Sequence, residues 1–336
     1  MQRHLLSAIA LIAMASPAFA QGEVNIYSSR HYDTDDALYS DFEESTGITV
    51  NRIEDDANVL MERMRSEGEL GAADVFITVD AARIAIADNG GLLQPMGSEV
   101  VNEKVPAELR SADDNWTAIS TRARLIFFDK DGVENPPQTY QDLADPQYEG
   151  MICTRSSSNT YMLSLLGSII AHEGEEAARE WAEGVKNNLA RDPQGGDTDQ
   201  LRGIISGECP IAVANHYYYA RGLRNEVAGL TEGIDQIGIV FPNQETTGTH
   251  VNISAAGIAA NAPNVDNARA FIEYLLTPRA QELIANGNDE YPVVEGVEAA
   301  PEVLELGDFK RDELNVGEFG NFSDEAQRIY NEVGYK

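Results

Sequence analysis

Short apolar runs rich in β-branched residues alternate with amphipathic stretches through most of the chain. Val24-Asn25-Ile26-Tyr27, Ile48 to Ile53 and Ala73 to Thr78 read as strands. Helical spacing is found in the stripe Ala37, Leu38 and Phe42 that follows an N-cap at Asp33 or Thr34, in Val59 to Arg65, and in Ala81 to Asp88. Thr46-Gly47 and Gly90-Gly91 supply helix stops. This strand–helix alternation predicts a mainly parallel sheet flanked by helices. Trp116 to Asp129 is a long extended run in which Arg122 and Arg124 sit among apolar residues, and it is placed to connect two lobes. Beyond Pro136-Pro137 a second unit begins. It has a strand at Gly150 to Cys153, helices at Thr160 to Ala171 and Glu175 to Lys186, and a loop at Gly195-Gly196-Asp197. Further strands are expected at Ile211 to Ala214 and Ile237 to Pro242. Val251 to Ala259 is again a strand, Val265 to Leu276 and Pro278 to Ala285 are helices broken at Thr277-Pro278, and a last helix lies near Ser323 to Glu332.

The first twenty residues stand outside this pattern. Arg3 and His4 precede an apolar run, Leu5 to Ala15, too short to span a bilayer, and Ala18-Phe19-Ala20 is a small-x-small cleavage signature. Residues 1–20 therefore predict a signal peptide cleaved near Ala20, and an exported protein. Roughly 316 residues then remain, more than one core usually holds, so two lobes are expected. The formal net charge of −32 argues against nucleic acid or an anionic membrane as partner. It leaves solubility or a cationic ligand as its meaning. Cys153 and Cys209, an even pair in an exported chain, suggest a disulfide, with a Cys metal site as the alternative. The bridge would close a loop of about 55 residues and contribute about 3–4 kcal/mol.

Candidate chemistry collects in three loops that each follow a strand and precede a helix: Ser28 to Tyr32, Ser156 to Tyr161, and Asn215 to Tyr218. In open α/β sheets, ligands bind beyond the carboxyl ends of strands, where helix N-termini favour negative charge. The triplet Tyr217-Tyr218-Tyr219 is unusual in a chain with 13 tyrosines in 336 residues. A free phenol titrates near ~10, but a multivalent cation attracts the deprotonated form. Hard cations prefer oxygen, and thiolate or imidazole suits softer ones. Several phenolates balance a trivalent charge, which suggests Fe3+. Ordinary readings stand beside this one. Tyr32 is otherwise a surface residue, Tyr161 the first core residue of its helix, and the triplet a strand end that packs against a lobe. If the triplet begins a helix, Tyr217 and Tyr218 lie about 100° apart and face one cleft, while Tyr219 turns away to pack. His31 adjoins Tyr32 as an imidazole candidate, and His216 is expected to hydrogen-bond locally. Arg122 and Arg124, two apart on a strand, share a face. They and Arg221 are either salt-bridge partners or charge arranged around a metal or its anion. There is no G-x-S-x-G, H-E-x-x-H or P-loop, and nothing argues for an enzyme.

The stretch Tyr27-Ser28-Ser29-Arg30-His31-Tyr32-Asp33-Thr34-Asp35 resembles the first-strand motif of periplasmic ferric-iron-binding proteins of ABC importers, in their cyanobacterial-type branch. Asp80-Ala81-Ala82-Arg83, Arg122-Ala123-Arg124 and Asn215 to Arg221 are similar to further motifs of that family, in order along essentially the whole mature chain. The resemblance implies a two-lobed periplasmic-binding-protein fold of α/β class, each lobe a mainly parallel sheet flanked by helices and joined by hinge strands. Residues 21–121 with about 245–295 would form the first lobe, and about 122–244 with 296–336 the second. Carried over by motif, Tyr32, Tyr161, Tyr217 and Tyr218 would hold Fe3+, with His31 where other branches place a His ligand. Arg122 and Arg221 would stand behind them, and Ser158 and Asn159 would contact a synergistic anion such as carbonate if one binds. The implied function is delivery of iron to permease subunits in the inner membrane by a monomeric receptor. The alternative is a receptor for a small organic ligand, such as a polyamine or sugar, walled by the tyrosines.

Overall fold

A computed structural model of the chain describes residues 22–30, 32–224 and 226–336. The expected signal peptide and His31 lie outside the described residues. Nine strands are present among them: β1 Glu23–Ser28, β2 Thr49–Glu54, β3 Val75–Val79, β4 Leu93–Gln94, β5 Trp116–Asp129, β6 Ile152–Cys153, β7 Ile211–Asn215, β8 Ile237–Val240 and β9 Val251–Ala259. They follow the path β2-β1-β3-β9-β5-β7-β6, with β4 on β9 and β8 on β5. Helices cover the two halves of this path, and the fold is the two-lobed α/β arrangement expected.

The strand directions differ from expectation. Parallel pairs join β1 to β2 and β3, and β6 to β7, but β9 and β5 run antiparallel to all their named neighbours. The sheets are therefore mixed. The cause is the crossing between lobes, because β5 leads out and β9 leads back. β5 pairs with β9 from Trp116 to Ala123, then with β7 from Arg124 to Phe128. Both faces of its second half are covered, which is why Leu125 to Phe128 is continuously apolar. Leu125 and Phe127 pack with Leu201, Ile204 and Tyr219. Ile126 points the other way, to Leu165, Trp181 and Tyr330. A separate core built around Ile26, Phe42, Phe76 and Phe271 serves the first lobe, and Val316 and Phe319 near the C-terminus join it.

Two local features depart from the sequence reading. Asp33 opens a short 3-10 turn, and the helix Asp36–Thr46 follows without a side-chain cap. The Asp35 carboxylate is committed instead to Arg30, at 2.8 Å. A helix at Asp197–Ile205 occupies a stretch marked only by the Gly195-Gly196 loop signal. Gly203 in that helix is required, since a Cβ there would lie 2.6 Å from the Cys209 sulfur. The Cys153–Cys209 disulfide is formed, with Cα atoms 5.8 Å apart, and fastens β6 beside this helix.

Asp80 holds the two lobes to the hinge. Its φ of 84° is a strained conformation for a residue with a side chain. The buried carboxylate accepts from the Ala82 N–H at 2.8 Å, the Ser164 hydroxyl at 2.9 Å and the Asn252 amide at 2.8 Å. Ser164 lies in the helix Thr160–Glu173 and Asn252 in β9. One carboxylate thus ties a first-lobe helix, a crossing strand and the helix that carries Tyr161. Asp80→Ala is expected to cost about 1–3 kcal/mol by chemical denaturation, because it strands these donors. Ser164→Ala, which leaves the carboxylate its other two donors, is expected to cost less.

Candidate metal centre

The three loops named from the sequence converge. Tyr32 follows β1. Tyr161 is the second residue of the helix Thr160–Glu173 that follows β6, and Tyr217 and Tyr218 are the second and third of the helix His216–Leu223 that begins where β7 ends. Each site tyrosine is thus aimed by the end of a strand and the start of a helix. The Tyr161 and Tyr217 hydroxyls are 3.3 Å apart. The rings of Tyr217 and Tyr218 pack with centroids 4.3 Å apart. Tyr217 is almost wholly buried, while Tyr218 and Tyr32 keep partial access to solvent. Tyr219 turns into the second lobe and stacks on Phe127 at 5.5 Å. Among the described residues no group of three or more His, Cys, Asp or Glu side chains is arranged to hold a metal ion. The phenol cluster is the oxygen-rich alternative.

Arginines surround it. The Arg221 guanidinium lies over Tyr217 at 5.2 Å, Tyr32 at 5.8 Å and Tyr218 at 5.9 Å. Arg122 lies 5.9 Å from the Tyr217 ring and Arg124 5.7 Å from the Tyr161 ring, so the shared strand face is real. The two arginines have separate partners, because β5 changes sheets between them: Arg122 pairs with Glu290 and Arg124 with Asp197. His216 is buried and its Nδ1 accepts from the Ala123 N–H at 3.2 Å, a local bond as expected. Ser158 is exposed, and its hydroxyl lies 3.3 Å from that of Ser156. The Asn159 side-chain oxygen caps the Tyr161 helix by accepting from the Tyr161 N–H at 3.2 Å.

Other participants were not legible as site residues. Arg30, inside the first motif, stands 4.8 Å from the Tyr32 ring. Arg155 approaches Tyr161 at 5.7 Å. Glu290 accepts from Arg30 at 2.7 Å, Arg122 at 2.7 Å and Ser120 at 2.6 Å. Ser254 receives hydrogen bonds from both Arg30 and Arg122. Only Arg30 had a sequence signal, its place in the motif. Glu290 follows an ordinary helix end.

The electrostatics constrain what this cluster can do. Burial pushes the Tyr217 phenol well above its ordinary value, and the neighbouring Tyr161 and Tyr218 oxygens push it further. Burial likewise raises Tyr218, helped by Tyr161 and Asp197. For Tyr32, burial and then Glu290 raise the phenol against the pull of Arg122 and Arg30. The Tyr32, Tyr217 and Tyr218 phenols are therefore held toward their neutral form, and ionising one opposes ionising its neighbours. A multivalent cation among the oxygens reverses that sign, since it stabilises every phenolate at once. The donor set fits a hard trivalent ion.

Two α/β lobes joined by crossing strands, with polar loops gathered beyond the strand ends where they meet, define a receptor for small solutes. The chain belongs to the bacterial extracellular solute-binding proteins, whose family profile matches residues 71–311. It is 44% identical over 318 residues to "Iron uptake protein A1" of Synechocystis, covering 94% of this chain and 88% of that protein. A Trichodesmium structure in complex with iron and citrate superposes with a TM-score of 0.90 at 45% identity, over 94% of this chain and 100% of that one. The ferric binding protein from Campylobacter jejuni superposes with a TM-score of 0.87 at 40% identity, over 93% and 100%.

Two buried groups, His250 and Glu290, are expected to make the metal-free fold sensitive to acid. Burial holds His250 down at about 4, below the ordinary ~6.5. The unfolded chain takes up that proton first, so stability falls as pH drops from about 6.5 toward 4. Burial pushes Glu290 up, but Arg122 and then Arg30 overcome this and hold it at about 2. Its contribution is present above the ordinary ~4.5 and is lost toward 2. The denaturation midpoint of metal-free protein is expected to fall across both ranges. A flat profile from pH 7 to 4 would contradict the first assignment.

Proposed function

We propose that the chain carries ferric iron in its interlobe cleft, bound by the phenolates of Tyr32, Tyr161, Tyr217 and Tyr218, and hands it to the inner-membrane permease subunits of an ABC importer. The observation that carries this reading is the convergence of four phenols from three separate strand–helix junctions, with two hydroxyls 3.3 Å apart. The names of the relatives, which refer to iron uptake and ferric binding, support the same cargo. His31, next to Tyr32 in the chain, is a further candidate ligand. Arg122 keeps Nε and Nη1 buried without a protein partner. These donors, with Arg221, suit an oxyanion that completes the coordination, such as carbonate, or citrate as in the Trichodesmium complex. Ser158 and the Asn159 amide are assigned to the same anion.

The lobes are assigned as 21–121 with about 245–295, and about 122–244 with 296–336. Most of the apolar core divides along this line; Val316 and Phe319 pack instead with the first-lobe core, and Tyr291 with a second-lobe one. The chain works as a periplasmic monomer that binds and releases its cargo by hinge motion.

Iron loading is expected to give a visible tyrosinate-to-iron charge-transfer band. Colourless protein, with no iron by elemental analysis, would end this reading, and tight calorimetric binding of a polyamine or sugar would replace it. Tyr217→Phe and Tyr218→Phe are each expected to weaken iron binding by more than about tenfold, the lower bound for losing even an outer partner of a metal site. Affinity should also fall by about tenfold per pH unit for each proton that the cation displaces. Competition titrations at stepped pH measure that slope.

A further inference from the structure

Asp289, Glu290 and Tyr291 form one short segment that touches every arginine placed over Tyr32, Tyr217 and Tyr218, or a neighbour of it. Asp289 closes the helix Pro278–Asn288 in a left-handed conformation, φ 60°. Tyr291 then exchanges two backbone hydrogen bonds of 2.9 Å with Thr121, the residue before Arg122 on β5. The two side chains just before that anchor reach different arginines. Glu290 binds Arg30 and Arg122, each at 2.7 Å. Asp289 binds Arg224 at 2.7 Å and lies 3.6 Å from Arg221. Tyr291 stacks on His216 at 4.4 Å, and His216 meets the Tyr217 ring edge-on at 5.7 Å. Both carboxylates are buried.

This arrangement has a consequence for charge. Arg30, Arg122 and Arg221 are the guanidiniums nearest Tyr32, Tyr217 and Tyr218. Left uncompensated in a buried setting, they would stabilise phenolates but repel a cation among them. Repulsion grows with cation charge, so a trivalent ion would suffer more than a divalent one. Two carboxylates one contact behind the arginines offset this while leaving the guanidinium faces against the rings.

We propose that Asp289 and Glu290 are positioning residues whose charge, delivered through Arg221 and through Arg30 and Arg122, makes the tyrosine site prefer a trivalent over a divalent cation. This rests on the four tyrosines being the iron ligands. The segment spans both arginine groups because it is pinned to the crossing strand at Thr121.

The test compares wild type with Glu290→Gln and Asp289→Asn, near-isosteric changes that remove one charge each. Fe3+ and Fe2+ affinities are measured by competition, together with the reduction potential of the bound iron. At an effective dielectric of about 20, one charge removed from about 12 Å away should lower the Fe3+-to-Fe2+ affinity ratio by about tenfold. For a one-electron couple that ratio corresponds to a potential about 59 mV higher. A merely structural role would weaken both ions together and leave the ratio and potential unchanged, and that result overturns the proposal. Should Glu290→Gln fail to fold, Asp289→Asn, whose Arg221 and Arg224 partners keep partial solvent access, carries the test alone. If wild type itself binds no iron, the functional reading fails instead, a result distinguishable from wild-type binding with unshifted variants.

Discussion

Between Ala123 and Arg124 strand β5 exchanges its hydrogen-bonding partner from β9 to β7. One continuous backbone therefore belongs to two sheets, and the lobes cannot be placed independently of it. The strand ends that launch Tyr32, Tyr161 and Tyr217 face a common space because their sheets share this strand. Two further ties act at the same level. Asp80 holds Ser164 and Asn252, and the segment at Tyr291 pairs with Thr121. Both lie close to the strand that changes sides, so the geometry of the phenol cluster is set by backbone pairing rather than by the loops alone.

Burial and charge then act in opposite directions at that space. Taking a phenol out of water makes its ionised form costly, and crowding several oxygens together raises the cost further. Arginines lower it, but in a low-dielectric interior they require carboxylates of their own. The structure meets this with layers: phenols innermost, guanidiniums against their rings, and Asp35, Glu290, Asp289 and Asp197 behind them. Burial holds the Tyr32, Tyr217 and Tyr218 phenols toward their neutral form under these paired arginines.

Much of this was legible in the chain. The extended runs at Trp116–Asp129 and Val251–Ala259 match their strands from end to end, because both are buried on two faces and carry few breaks in strand character. The strand–helix junctions bearing Tyr32, Tyr161 and the triplet were visible as polar loops between periodic stretches. Tyr219 separated from its neighbours because helical geometry turns each residue about 100°. Strand direction was not legible. Local periodicity reports burial, and an antiparallel strand buried on both faces reads like a parallel one. The helix Asp197–Ile205 was hidden behind Gly195-Gly196, which punctuates strongly. The expected cap at Asp33 or Thr34 gave way to a short 3-10 turn, whose last residue, Asp35, is held by Arg30.

The sequence by itself indicated the class of fold, a disulfide between its two cysteines, the acidic character of the chain, and the phenol oxygens gathered at the strand ends. These follow from residue type and short-range spacing, which a linear text carries in full. Only the tertiary structure decided which arginine meets which carboxylate. Arg122 and Arg124 stand two residues apart, yet one pairs with Glu290 and the other with Asp197, 168 and 73 residues away. Such pairings depend on where the chain returns after long excursions, and the energy of a buried charge depends on that return rather than on its neighbours in sequence.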